Sequence, residues 1–213
     1  MSGLEQLREM WNARYSNPNN LFGYRPNDFL VQAEVMLRRG SRVLVIGDGE
    51  GRNGVWLAQQ GHQVTTVDLS EVGVGKARAL ARERKVELDA HVGELGEWLD
   101  QPAAQGPWGG IVWIFCHLPP SLRRQVAEAL TPRLVPQGKL IMEAYTPAQL
   151  MLGTGGPSDE SLLLTRPMVE ADWPGLDLDV RILERRIFEG RAHQGLSSVL
   201  QVLGQRKKQP ARG

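Results

Sequence analysis

Cysteine is almost absent from this 213-residue chain: Cys116 stands alone. That excludes an internal disulfide framework and a zinc site built from several thiolates. An excess of charge of either sign is missing as well. The formal net charge is +1, so no global field draws the protein to nucleic acid or to an anionic membrane. Nor is there a long hydrophobic run. The opening MSGLEQLREMW is charged from its fifth residue and holds no apolar signal core. The nearly charge-free stretch Gly109 to Leu122 is too short to span a bilayer and contains Pro119 and Pro120. These absences predict a cytoplasmic protein with a small-molecule substrate and no nucleic-acid or membrane partner. They leave the oligomeric state open.

What is present is enough to fold. Apolar residues at 41% and charged residues at 23% supply a core and a solvated surface, and the length suits one domain. Leu4, Leu7 and Trp11 share a helical face, which predicts an amphipathic helix ending near SNPNN. A second helix is predicted from Asn27 to Arg39, stopping at Gly40. RVLVIG then reads as a buried parallel strand closed by glycine. Gly54 to Gln60 reads as a helix with Gly61 as its C-terminal cap. QVTTVD is the next strand, and Ser70 caps a helix carrying Ala77, Leu80 and Ala81. VELDAHV and GIVWIF follow as strands, Pro119 and Pro120 open a further helix, and KLIMEAY is the fifth strand.

Strands alternating with helices predict an α/β fold with a doubly wound, Rossmann-like, mostly parallel sheet. The tail breaks the rhythm. Asp179 to Phe188 and Leu196 to Leu203 are strand-like runs joined only by EGRAHQG, too short for a helical crossover, so they pair antiparallel. The sheet is therefore expected to have seven strands and to end in an antiparallel hairpin. The final QRKKQPARG reads as a frayed basic end.

Gly47, Gly49 and Gly51 alternate between the first strand and the next helix, where glycines let backbone approach a ligand at a helix N-terminus. Asp68 ends the second strand about twenty residues on, where a carboxylate can accept both ribose hydroxyls. Together they predict a nucleoside-cofactor site. Gly49, Gly51 and Gly54 also satisfy G-x-G-x-x-G, the dinucleotide fingerprint. Counted from Gly47, which directly follows the strand, the third glycine position holds Arg52, so a pyrophosphate turn is poorly matched.

The G-x-G-x-G form resembles motif I of class I S-adenosylmethionine-dependent methyltransferases. VLVIGDGEGRNGVWLAQQGHQVTTVDLSE resembles the first two motifs of small bacterial members near the tellurite-resistance and thiopurine methyltransferases. WIFCHLPPSLR, PQGKLIMEAYTPAQL and GTGGP resemble one subgroup of these. The resemblance implies S-adenosylmethionine as cofactor and residues 1–206 as a single methyltransferase domain. Within it, residues 1–40 form an N-terminal helical cap; after it, residues 207–213 are expected to be a disordered basic tail.

By position in that pattern, Gly47, Asp48 and Gly49 line the methionine moiety, and Gly51 and Asn53 are further cofactor-binding candidates. Asp68 holds the ribose, with Leu69 and Ser70 beside it and the adenine. Gly93, Glu94 and Leu95 lie at the adenine edge, and Cys116 and His117 form the floor under the methyl group. Trp11 and Tyr15 close the first helix over the cofactor, with Arg14 near its carboxylate. Many relatives carry an acid at the position of Val45; Asp48 or a water-mediated contact is the candidate substitute.

Methyl transfer needs a general base only if the acceptor must lose a proton, and His117, at a strand end, is the candidate. FGYRPN, with Phe22, Tyr24 and Arg25, and the Gly153 to Pro157 run are candidate lids over the acceptor. Glu143 and Tyr145, at the end of the fifth strand, could reach it or simply pack. Cys116 is a candidate soft ligand or a small buried residue. The resemblance implies a small nucleophilic acceptor, a thiol or a chalcogen oxyanion. Two alternatives stand beside it. One is a non-catalytic S-adenosylmethionine-binding regulator; the other is a nicotinamide-dependent oxidoreductase, disfavoured by Arg52 and the hairpin. No metal site is expected.

Overall fold

The protein is described here by a computed structural model over residues 3–207. Gln205 and Arg206, expected to fray, are paired in the last strand, and the Lys207 backbone N–H donates to the Gly175 carbonyl at 3.1 Å. The disorder expected of residues 208–213 concerns positions outside the described ones.

Seven strands form one sheet in the order β3-β2-β1-β4-β5-β7-β6. They are β1 (Arg42–Ile46), β2 (Gln63–Asp68), β3 (Asp89–Val92), β4 (Trp108–Ile114), β5 (Leu134–Tyr145), β6 (Leu176–Glu189) and β7 (His193–Arg206). The first five pair in parallel, and β7 runs antiparallel to both β5 and β6. This is the mostly parallel sheet with a terminal antiparallel hairpin that the sequence predicts.

The helices are α1 (Gly3–Tyr15), α2 (Asp28–Ala33), α3 (Arg52–Gln59), α4 (Glu71–Arg84), α5 (Leu95–Trp98), α6 (Pro120–Leu130) and α7 (Arg166–Asp172). They divide between the two faces of the sheet because strand side chains alternate. Val43 and Val45 pack with Leu30 and Leu57 on the side of α2 and α3. Leu44 and Ile46 join Trp98, Val126 and Trp173 on the side of α5, α6 and α7. Both faces of β1 are thus buried, which is why Val43, Leu44, Val45 and Ile46 form an unbroken apolar run.

Several boundaries differ from expectation. The helix predicted over 27–39 ends at Ala33, tightens into a 3-10 turn over Glu34–Met36 and leaves helical geometry at Leu37. Leu37 is drawn into the core against Gly110, where a Cβ would lie 2.5 Å from Leu37 Cδ2. The helix predicted from Gly54 begins at Arg52, capped by Gly51 at φ +86°. The third strand is only Asp89–Val92, because β3 is an edge strand that β2 alone pins. The fifth strand begins earlier than KLIMEAY, at Leu134, and both hairpin strands are longer than their apolar runs.

Candidate functional site

The chain order reverses between β1 and β4, and in open α/β sheets the crevice at such a point, outside the strand C-termini, receives ligands. A cavity of about 410 Å³ lies there. Gly47 and Asp48 enter it from β1, Asp68 and Leu69 from β2, Gly93 and Glu94 from β3, and Cys116 and His117 from β4. Trp11 and Tyr15 line it from α1, and Asn53 and Leu95 from the starts of α3 and α5. Most of the sequence-predicted cofactor residues therefore meet around one space.

Asp68 organises the loop. One of its carboxylate oxygens accepts the Gly49 N–H at 2.8 Å and the other the Ser70 N–H at 2.9 Å. Burial pushes its pKa up, and these two bonds oppose the rise. A carboxylate has about four lone-pair sites, so each oxygen can still accept a hydroxyl from a ligand. Ser70 itself is turned away: its Oγ accepts the Gly73 N–H at 3.0 Å and caps α4.

The glycines do different jobs. A Cβ on Gly47 would lie 2.5 Å from Cys116 Sγ, so the bare backbone lets the ends of β1 and β4 meet at the cavity floor. Gly49 meets Tyr15 rather than open space, its Cβ position lying 2.5 Å from the Tyr15 hydroxyl. Gly51 packs against Ala77 of α4 and does not line the cavity.

The acid missing at Val45 is not simply replaced by Asp48. Both Asp48 oxygens face the Gly54 N–H, at 3.2 and 3.1 Å, and so serve the first turn of α3. Burial raises the Asp48 pKa to about 7, with the Asp68 charge adding to the rise and the helix amides opposing it. The folded protein therefore holds a proton that the unfolded chain, at about 3.8, would release. This contribution to stability is complete below about pH 4 and drains as pH rises toward about 7, by up to about 1.4 kcal/mol per pH unit. Asp48→Asn cannot titrate, so its stability relative to wild type should climb across that window. Urea midpoints at about pH 4 and about pH 8 check this, and a pH-independent difference would contradict it.

On the far side of His117 lies an aromatic wall. Phe115 holds φ +49°, a costly conformation for a bulky residue, and its N–H is tied to the Glu143 carbonyl at 2.8 Å. Its ring lies 4.7 Å from Tyr145 and 5.0 Å from His193. His117 stacks on Tyr145 at 5.8 Å. Phe22 closes the group at 4.7 Å from His193, carried there by a segment whose Leu21 N–H is held by Glu50 at 2.6 Å. Burial, with His193 nearby, lowers the His117 pKa to about 4, so this ring is neutral at physiological pH. Burial likewise raises the Cys116 thiol well above its usual range, which removes a thiolate from the floor.

Other expectations change. Tyr24 and Arg25 are exposed and do not line the cavity; of FGYRPN, Phe22 alone reaches it. Tyr145 is fully buried behind Phe115 and His117. Glu143 is buried too and faces no cavity: it takes Arg185 at 2.9 and 2.7 Å, Gln201 at 2.7 Å and Asn27 at 2.6 Å. GTGGP is no open lid. Thr154 donates to the Leu196 carbonyl at 2.6 Å, and a Cβ on Gly156 would strike the Tyr145 ring at 2.7 Å. Arg14 stacks over Trp11 at 4.6 Å and lies outside the lining.

Sequence reasoning missed His193 and the buried pair Arg52–Glu189, joined at 2.6 Å. Arg52 and His193 line the cavity. The local signal was EGRAH, a Glu and a His flanking a hairpin turn; no pattern of spacing points from it to Arg52.

Residues 43–138 match the family described as a methyltransferase domain. No curated protein matches the chain. Among solved structures, the N-methyltransferase NodS from Bradyrhizobium japonicum, in complex with S-adenosyl-L-homocysteine, is similar at TM-score 0.70 and 14% identity, over 94% of this chain and 98% of that one. A protein described for converting a disulfide bond into a thioacetal group during echinomycin biosynthesis is similar at 0.71 and 18%, over 96% and 93%. TehB from Haemophilus influenzae is similar at 0.64 and 14%, over 84% and 62%. At these identities the structural likeness establishes the fold. The matched segment, which spans the glycine loop and Asp68, is a methyltransferase domain, and with the fold it supports an enzyme that uses S-adenosylmethionine.

Proposed function

We propose that the enzyme methylates a small, uncharged nucleophile, a thiol rather than a chalcogen oxyanion, at the wall formed by Phe22, Phe115, His117 and His193. The observation that carries this is the state of the cations. Arg52 is the sole Lys or Arg among the described residues lining the cavity. Its Nη2 is held by Glu189 at 2.6 Å, and its Nη1 donates to the Arg25 carbonyl at 3.3 Å. His117 is neutral. An oxyanion would lose its hydration here and gain no free cation from the protein, at a cost of several kcal/mol. A neutral thiol with an apolar body loses little. The soft-acceptor reading also accords with the neighbour that works on a disulfide.

The residues present fit the cofactor. Asp68 would take the ribose hydroxyls, the Gly47–Gly49 backbone would face the methionine end, and Glu94 and Leu95 would edge the adenine, with Trp11 above. S-adenosylmethionine, when bound, supplies a methyl group on a positively charged sulfur. The protein's own contribution is proximity and dryness, which can lower a barrier by about 7–11 kcal/mol. Cys116 and His117 close the floor without charge, and the aromatic wall excludes water from the acceptor. Residues 1–206 would act together in this, with α1 as a cap.

Asp68→Ala is expected to weaken cofactor binding by about 1.5–3 kcal/mol, the scale of a charge-assisted hydrogen bond. Calorimetry on the folded variant measures it, and unchanged affinity would sink the ribose assignment. For the acceptor, release of S-adenosylhomocysteine is followed with thiols, thiopurines, tellurite and selenite. Turnover of neutral thiols is expected. Activity on the oxyanions alone, or only on RNA, DNA or protein, would overturn the reading.

A further inference from the structure

His193 opens β7 directly after the hairpin turn, and three rings fix its plane: Phe22 at 4.7 Å, Phe115 at 5.0 Å and Tyr145 at 5.4 Å. Its Nδ1 lies 3.5 Å from Glu189 Oε2, at the end of β6: an ion-pair distance without a hydrogen bond, to an oxygen that also takes Arg52 Nη2 at 2.6 Å. Both side chains are only 7% exposed, yet the imidazole reaches the cavity beside His117. A carboxylate on the Nδ1 side of the ring favours a proton there electrostatically, which leaves Nε2 with a bare lone pair. No carboxylate stands within ion-pair distance of His117 among the described residues. The two histidines of the site are therefore not equivalent.

We propose that His193, oriented by Glu189, takes the acceptor's proton during methyl transfer. This rests on the thiol reading above. A lone pair on the acceptor sulfur forms the new bond to the methyl carbon. The bond from that carbon to the cofactor's sulfonium breaks, its electron pair staying on the cofactor sulfur. The acceptor's proton passes to His193 Nε2 and from there to water. One positive charge is thus conserved, moving from the sulfonium to the imidazolium, where Glu189 lies against it. Glu189 is suited to this: burial pushes its pKa up, but His193 and Arg52 outweigh burial and hold it at about 2, so it stays ionised.

The groups facing His193 are Glu189 from β6, Arg52 from α3, Arg14 from α1, His117 after β4 and the protonated phenol of Tyr145 from β5. Burial lowers the His193 pKa most, Arg52 and Arg14 lower it further, and Glu189 opposes them. The net fall leaves the ring neutral at physiological pH and ready to accept.

The test compares wild type with His193→Gln on mercaptoethanol, a thiol of ordinary pKa, and on nitrothiophenol, which is largely ionised at neutral pH. A general base typically contributes about a hundredfold or more to rate. On mercaptoethanol at neutral pH, kcat should fall by about that factor, with the loss shrinking as pH rises toward the thiol's own pKa. On nitrothiophenol it should change no more than a few-fold, and the KM for S-adenosylmethionine should hold. Equal losses on both thiols would make His193 structural and overturn the proposal. A second measurement needs neither the variant nor turnover: nitrogen-15 NMR of the His193 ring in wild type with S-adenosylhomocysteine. The Nδ1–H tautomer with bare Nε2 is expected at neutral pH; the Nε2–H tautomer or an imidazolium would overturn the role. Should wild type methylate no thiol, the acceptor reading falls and the thiol step with it, while the tautomer still decides whether His193 can accept a proton.

Discussion

Gly49→Val is expected to reduce S-adenosylmethionine affinity by more than about a hundredfold and to lower the unfolding midpoint as well. Gly49 holds φ +56°, and a left-handed residue with a side chain costs roughly 1–2 kcal/mol. The added Cβ also falls 2.5 Å from the Tyr15 hydroxyl and 3.0 Å from its Cζ, and crowding of that kind costs about 1–3 kcal/mol. Tyr15 is buried and stacks on Trp11 at 5.3 Å, so displacing it lifts the end of α1 that lines the cavity. The Gly49 N–H would also move off Asp68, loosening the carboxylate meant for the ribose. Gly49→Ala combined with Tyr15→Phe should recover part of the affinity, since it removes the closest atom but not the backbone strain. Calorimetry and thermal melts on the single and double variants measure both effects. Wild-type affinity in Gly49→Val would show that the loop does not shape the site.

Glu143→Ala should destabilise the fold by about 3–5 kcal/mol, the cost of leaving a buried ionic partner unpaired. Glu143 is fully buried in β5 and accepts four hydrogen bonds, two of them from Arg185. Its removal leaves the guanidinium, Asn27 and Gln201 without their acceptor. The effect should reach the site, because Asn27 also donates to Glu189 at 2.9 Å and its backbone N–H donates to Asn53 at 2.9 Å. Glu143→Gln keeps the shape and should cost less. Urea unfolding gives the difference, and an unchanged midpoint in Glu143→Ala would refute the role of this network.

The same network shows where sequence reading stops. RVLVIG, QVTTVD and the closing hairpin were legible because period, glycines and connection length are local signals. The meeting of Gly47, Asp68, Glu94 and His117 was legible because strand C-termini share one rim in a doubly wound sheet. Arg52 and Glu189 lie 137 positions apart, and Asn27 and Glu143 lie 116 apart. Their pairing follows from how α2, α3 and the hairpin pack on β5, which no periodicity encodes. Tyr24 and Arg25 read as site residues for lack of that information. Once the hairpin turn docks on Leu21, only Phe22 is directed inward; the Arg191 N–H donates to the Leu21 carbonyl at 3.0 Å. Asp48 reads as a ligand acid until the first turn of α3 is seen to claim both its oxygens.

The central claim is that the crevice between β1 and β4 holds S-adenosylmethionine through the Gly47–Gly49 loop and Asp68. Calorimetric titration of the protein with S-adenosylmethionine, S-adenosylhomocysteine and NAD tests it most directly. Saturable binding of the first two, weakened in Asp68→Ala, with no heat from NAD, is the result this account predicts. Binding of NAD alone, or of none of the three, would contradict it.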